Sequence, residues 1–69
     1  MTEFSYKDFI IEYDINEEGE LESIKIIDGE TGETITDNFL ESDIEIFGQM
    51  SYNNWKGIPL HTNIKKKLK

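Results

Sequence analysis

Asp14-Ile15-Asn16-Glu17-Glu18-Gly19 places side-chain oxygens at its first, third and fifth positions, a glycine at the sixth and Leu21 at the eighth. That is the layout of a calcium-binding loop. Such a loop also needs a bidentate Glu at the twelfth position. Here that residue is Lys25, whose ammonium repels a divalent cation, and the flanks read as strands where the motif needs helices. The segment is therefore expected to be an acidic hairpin turn that binds no metal.

Catalysis has less to build on. His61 is the only histidine, and no motif places a nucleophile or an acid beside it. Carboxylates are plentiful, but acid–base pairs of the glycosidase kind need a deep cleft whose burial separates their proton affinities. Gly29 and Gly32 lie in an acidic turn, which repels phosphate. The chain has no arginine, so the planar guanidinium fork is missing, and no cysteine, so disulfides and thiolate clusters are missing too. Neither an enzyme nor a cofactor is expected.

The strongest signal is charge. All 15 acidic residues lie between Glu3 and Glu45, where Lys7 and Lys25 are the only cations, so residues 1–50 carry −13. Residues 51–69 hold five lysines and no acid. Self-repulsion destabilises a compact chain, and −13 exceeds what solubility requires, although an acidic surface kept for solubility is the bland alternative. The candidate partner-binding set is Glu12 and Asp14 on one strand face, Glu17, Glu18, Glu20 and Glu22 around the first long turn, Asp28, Glu30 and Glu33 at the next, and Glu41, Asp43 and Glu45 on a following helix. Strands rise about 3.3 Å per residue, a spacing comparable to that of phosphates along a DNA strand. Carboxylates displayed in this way fit a Lys- and Arg-rich groove. The expected partner is a protein with such a groove, a nucleic-acid-processing enzyme. Lys65, Lys66, Lys67 and Lys69 are outweighed by the acidic body, so direct contact with nucleic acid or membrane is not expected, and the tail reads as solvated or as a strap. Trp55 with Tyr52 would stack bases or, more commonly, cover the core of a small sheet.

The elements that must position these groups follow from periodicity. Glu3 to Tyr6 reads as a short strand and Lys7-Asp8 as a bend. Phe9, Ile11, Tyr13 and Ile15 then alternate with Ile10, Glu12 and Asp14. Asn16 to Gly19 is a turn, and Leu21 to Ile27 is a strand with Glu22, Ile24 and Ile26 opposite Leu21, Ser23, Lys25 and Ile27. Asp28 to Gly32 turns into a third short strand after the bend, Glu33 to Thr36. A helix follows, N-capped within Thr36-Asp37-Asn38, with Asn38 and Glu41 at capping-box spacing. It puts Phe39, Leu40, Ile44 and Phe47 on the sheet and stops near Gly48 or Met50. Ile44 to Phe47 also fits a strand. Ser51 to Lys69 reads as an aromatic loop and basic tail, in which Leu60, Ile64 and Leu68 could stripe a short helix. The fold class is α+β: an antiparallel three- to four-stranded β-meander packed by one short helix, with a basic C-terminal tail. Residues 1–50 and 51–69 form a single domain, as 69 residues leave room for one core.

The start of the chain lacks the pattern of a signal peptide, and apolar runs such as Phe9-Ile10-Ile11 are too short to span a bilayer, so a cytoplasmic location is expected. The absence of Arg, Ala and Val, with abundant Ile, Lys and Asn, is the bias of an AT-rich coding sequence, as in a low-GC bacterium or its phage.

Phe4-Ser5-Tyr6, Ile11-Glu12-Tyr13-Asp14, Glu22-Ser23-Ile24 and Ile35-Thr36-Asp37 with the acidic helix after them resemble small acidic phage-encoded proteins of β-meander plus helix type. Glu22-Ser23-Ile24 is also similar to the edge strand by which phage uracil-DNA glycosylase inhibitors mimic DNA. These resemblances imply a counter-defence protein, an inhibitor of a host restriction, CRISPR or repair enzyme. A structural or assembly protein that pairs with a second copy, and a nucleic-acid-binding module, are the alternatives.

Overall fold

The computed structural model describes residues 2–64. Strands β1 (Thr2–Tyr6), β2 (Phe9–Ile15) and β3 (Leu21–Asp28) form one antiparallel sheet in the order β1-β2-β3, and a single helix, α1 (Glu41–Lys56), packs on it. The fold is α+β. β2 is central because both connections are short: Lys7-Asp8, with Lys7 in the left-handed region at φ 53°, and Asn16 to Glu20, with Gly19 at φ 83°.

Register divides the side chains between two faces. Pairings Thr2 with Tyr13, Phe4 with Ile11 and Tyr6 with Phe9, then Ile11 with Ile26 and Tyr13 with Ile24, line the face that α1 covers. Ile11, Tyr13, Ile26, Phe47 and Met50 are almost wholly buried there, each contributing roughly 1.5–3 kcal/mol by removal from water. Glu3, Ser5, Ile10, Glu12, Asp14, Ser23, Lys25 and Ile27 occupy the open face. A register shift between Asp14 and Ile15 puts Leu21 opposite Ile15, so Leu21 joins the covered face instead of continuing the phase of Ser23, Lys25 and Ile27. Its Cδ2 lies 3.2 Å from where a Cβ on Gly48 would stand.

Two expectations are corrected. The strand at Glu33 to Thr36 reduces to one bridge, Ile27 with Thr34, flanked by Ile35 N–H donating to the Ile26 carbonyl (2.8 Å) and Asp28 N–H to that of Glu33 (2.9 Å). Thr36 Oγ1 accepts from Ile26 N–H at 2.9 Å, and Thr36–Asn38 forms a single 3-10 turn. Of the residues expected to cap the helix, Thr36 is thereby engaged at the sheet edge and Asp37 and Asn38 lie in the 3-10 turn. Leu40 precedes the helix instead, with no side-chain cap.

The second correction concerns helix length. α1 does not stop at Gly48 or Met50, and Ile44 to Phe47 is helical. Gly48 serves the close approach of Leu21, so it sits mid-helix despite its propensity cost of roughly 1 kcal/mol. Gly57, at φ 76°, is the true terminator. Its N–H donates to the Asn54 carbonyl, and Ile58 N–H reaches the Asn53 carbonyl at 3.0 Å, a Schellman closure followed by Pro59. Ser51 to Lys56 is thus helix, not loop, and the boundary drawn at residue 50 falls inside α1. Beyond it, buried Asn53 donates through Nδ2 to the carbonyls of Leu60 (2.7 Å) and Thr62 (2.8 Å) and accepts from Gln49, tying the returning chain to the helix. Leu60 to Asn63 is turn. Leu68 and Lys65 to Lys69 lie outside the described residues. Among the described residues, no helix is long and apolar enough to cross a membrane.

Candidate partner-binding surface

Both acidic turns are clasped by side chains, the first by Asn16 and the second by Asp28 with Thr31, whose Oγ1 accepts from Glu33 N–H at 3.2 Å. At the β2–β3 turn, Asn16 Oδ1 accepts from the backbone N–H of Glu18 (2.9 Å) and of Glu20 (3.0 Å), while its own N–H donates to the Glu20 carbonyl. The oxygen that matched the third position of a calcium loop is therefore spent on the turn itself. At the far end of β3, Asp28 Oδ1 accepts from Glu30 N–H (2.8 Å) and Thr31 N–H (3.3 Å). Gly29 N–H donates to the Asp8 carbonyl at 2.8 Å, which docks this turn on the β1–β2 connection. Among the described residues, no three His, Asp or Glu side chains are placed to hold a metal ion.

The twelve candidate carboxylates do not share one face. Glu17, Glu18, Glu20 and Glu22 are exposed around the β2–β3 turn. Glu30, Glu33, Glu41 and Glu45 are exposed toward the opposite end, where the 28–34 turn and the start of α1 lie, with half-buried Asp28 among them. These two ends are separated by β3, roughly 23 Å at 3.3 Å per residue. Between them, on the open face, Glu12 stands opposite both Glu3 and Lys25, and Asp14 accepts from Ser23 Oγ at 3.1 Å. Asp43 is corrected outright: at 6% exposure it lies within the first turn of α1, where a negative charge suits the helix dipole, and it cannot meet a partner. His61 is exposed, its Nε2 3.5 Å from the Tyr6 hydroxyl, with the two rings 5.7 Å apart.

The aromatics also divide by end. At the helix-start end Phe9, Phe39 and Phe47 pack edge to face, with centroids 5.3–6.1 Å apart. An open depression of about 280 Å³ beside them is lined by Ser5, Lys7, Asp8, Phe9, Ile10, Gly29 and Glu30. At the hairpin end, Trp55 is 43% exposed and Leu21 40%. Two atoms of the Trp55 benzene ring lie 3.7 Å from where a Gly19 Cβ would stand, so the indole rests against the acidic turn. Tyr52 is 5.9 Å from Trp55, and Lys56 Nζ sits 5.7 and 5.8 Å from the two ring centroids.

Sequence reasoning assigned Trp55 and Tyr52 to a loop. The signal that would have placed them is the spacing of Gly48, Tyr52 and Trp55, which share one side of a helix continuing past Met50. Comparison with protein-family models, with curated proteins and with solved structures found no match for the chain.

Proposed function

We propose that the protein is a non-catalytic inhibitor of phage counter-defence type that acts in the host cytoplasm by occupying a basic groove on a restriction, CRISPR or repair enzyme. The observation that carries this reading is that β3 ends, on both sides, in exposed carboxylates mounted on clasped turns, Glu17, Glu18, Glu20 and Glu22 at one end and Glu30 and Glu33 at the other. A backbone already held by Asn16 and Asp28 loses little freedom on binding, so the charges are presented at low ordering cost. Carboxylates that replace phosphates in a basic groove release the groove's anions and compete with DNA.

The test is capture from host lysate on the immobilised protein, followed by elution with salt and with duplex DNA. The specifically held protein should elute with either, and its affinity should fall linearly with salt on a log–log plot. A captured protein that holds through high salt and binds DNA simultaneously defeats the proposal.

One observation favours the assembly reading: half-buried Ile10 and Ile27 face each other on the open side of the sheet. Under the inhibitor reading the chain sediments as a monomer at micromolar concentration. A dimer dispersed by Ile27→Glu would establish pairing through that face.

A further inference from the structure

We infer that the hairpin end is the contact end, and that the Trp55–Tyr52–Leu21 surface receives a Lys or Arg side chain from a basic, partly apolar segment of the partner protein. This rests on the inhibitor reading and narrows it to one place. The indole lies on Gly19, between Glu18 and Glu20, so an exposed aromatic face and carboxylates adjoin within one turn of chain. Leu21 runs beside Gly48, one helical turn before Tyr52, and extends the apolar strip along the β3 edge. A cation already occupies the ring faces, since Lys56 Nζ stands over both Tyr52 and Trp55. Lys56 is exposed and flexible in its stem, so an incoming ammonium or guanidinium can take its place, with neighbouring carboxylates added to the attraction of the rings.

Charge decides the occupant. A second copy would bring its own Glu17, Glu18, Glu20 and Glu22 against these, and like charges repel, whereas a basic segment with alternating apolar residues is complementary to both rim and strip. Trp and Tyr at the centre of a contact commonly carry most of its energy. The helix-start end is also acidic, but its aromatics are packed on one another.

The experiment uses the full chain and the peptide acetyl-Lys-Leu-Arg-Leu-Lys-amide in about 0.1 M salt, where the Debye length is about 10 Å, read by calorimetry and by the emission of Trp55, the only tryptophan. Saturable binding with a shift in emission is expected. Trp55→Leu, which keeps apolar cover over Gly19, should weaken binding about fivefold or more, and Trp55→Phe less. Glu30→Gln/Glu33→Gln/Glu41→Gln should change it less than about twofold, because the far end lies beyond a Debye length. If the peptide binds but the far-end triple variant loses it while Trp55→Leu does not, the inference fails and the inhibitor reading stands. If the wild-type chain does not bind the peptide at all, the inference fails, and the inhibitor reading is judged by the lysate capture alone. Self-association abolished by Trp55→Leu would assign the surface to a second copy and overturn the inference as well.

Discussion

The two ends of β3 carry charge of the same sign and the same turn device, yet they use their aromatic residues in opposite ways. At the helix-start end, Phe9, Phe39 and Phe47 interlock and their area goes into folding. At the hairpin end, Tyr52 and Trp55 lie along the rim of α1, partly open to water, over a glycine turn. A domain this small buries only roughly 60% of the surface its unfolded chain exposes, so large aromatic area left outside is area withheld from stability. The comparison teaches that aromatic area at one acidic end goes into the core, while at the other part of it stays in contact with water.

The largest effect should come from Phe47, which joins its edge-to-face partners Tyr6, Phe9 and Phe39 to Ile11 and Ile26. Phe47→Ala is expected to cost about 3–5 kcal/mol in urea unfolding, enough to leave the chain largely unfolded. A loss under about 1 kcal/mol would mean that the helix-start cluster is not the centre of the core. Next is Gly29→Ala. Its Cβ would meet the Asp8 carbonyl oxygen at 2.7 Å, backbone against backbone, and should cost about 1–3 kcal/mol by prying the two turns apart. At Gly32, with φ 76° and nothing within 4 Å, alanine meets only the left-handed backbone penalty, about 1 kcal/mol, so the ratio of the two reads the docking itself.

At the hairpin end, Asn16→Ala removes the acceptor of two turn N–H groups and should cost about 0.5–2 kcal/mol, with faster amide exchange at Glu18 and Glu20. The smallest stability change belongs to Trp55→Leu, within about 0.5 kcal/mol at an exposed site. Thermal unfolding of the five variants places them on one scale. Trp55→Leu ranking beside Phe47→Ala would erase the distinction between the ends.

Much of this was readable in advance. The alternation of Phe9, Ile11, Tyr13 and Ile15 and the Ile-rich run from Leu21 define two strands, because a half-buried strand tolerates little else. The acidic turn was legible because Asn16 and Gly19 supply its side-chain acceptor and its positive φ. The helix end was misplaced because a glycine read alone is ambiguous: Gly48 and Gly57 look alike, and only the Ile58-Pro59 that follows Gly57 distinguishes a terminator from a contact point. Asp43 was expected outside or at the helix N-terminus favoured by the dipole; it lies at that N-terminus, and nothing local indicates that the first turn of α1 sinks against the sheet.

The amino-acid sequence by itself determined the net charge, the confinement of the acidic residues to 3–45, the meander and the existence of one helix, since these depend on composition and on neighbours a few positions apart. Only tertiary structure decided the rest. The register shift at Asp14/Ile15 turned Leu21 under the helix, the packing of Leu21 on Gly48 let the helix run on to Lys56, and that extra length laid Trp55 on Gly19. The Leu21–Gly48 and Gly19–Trp55 contacts join residues far apart in the chain and are set by close packing of shapes rather than by periodicity.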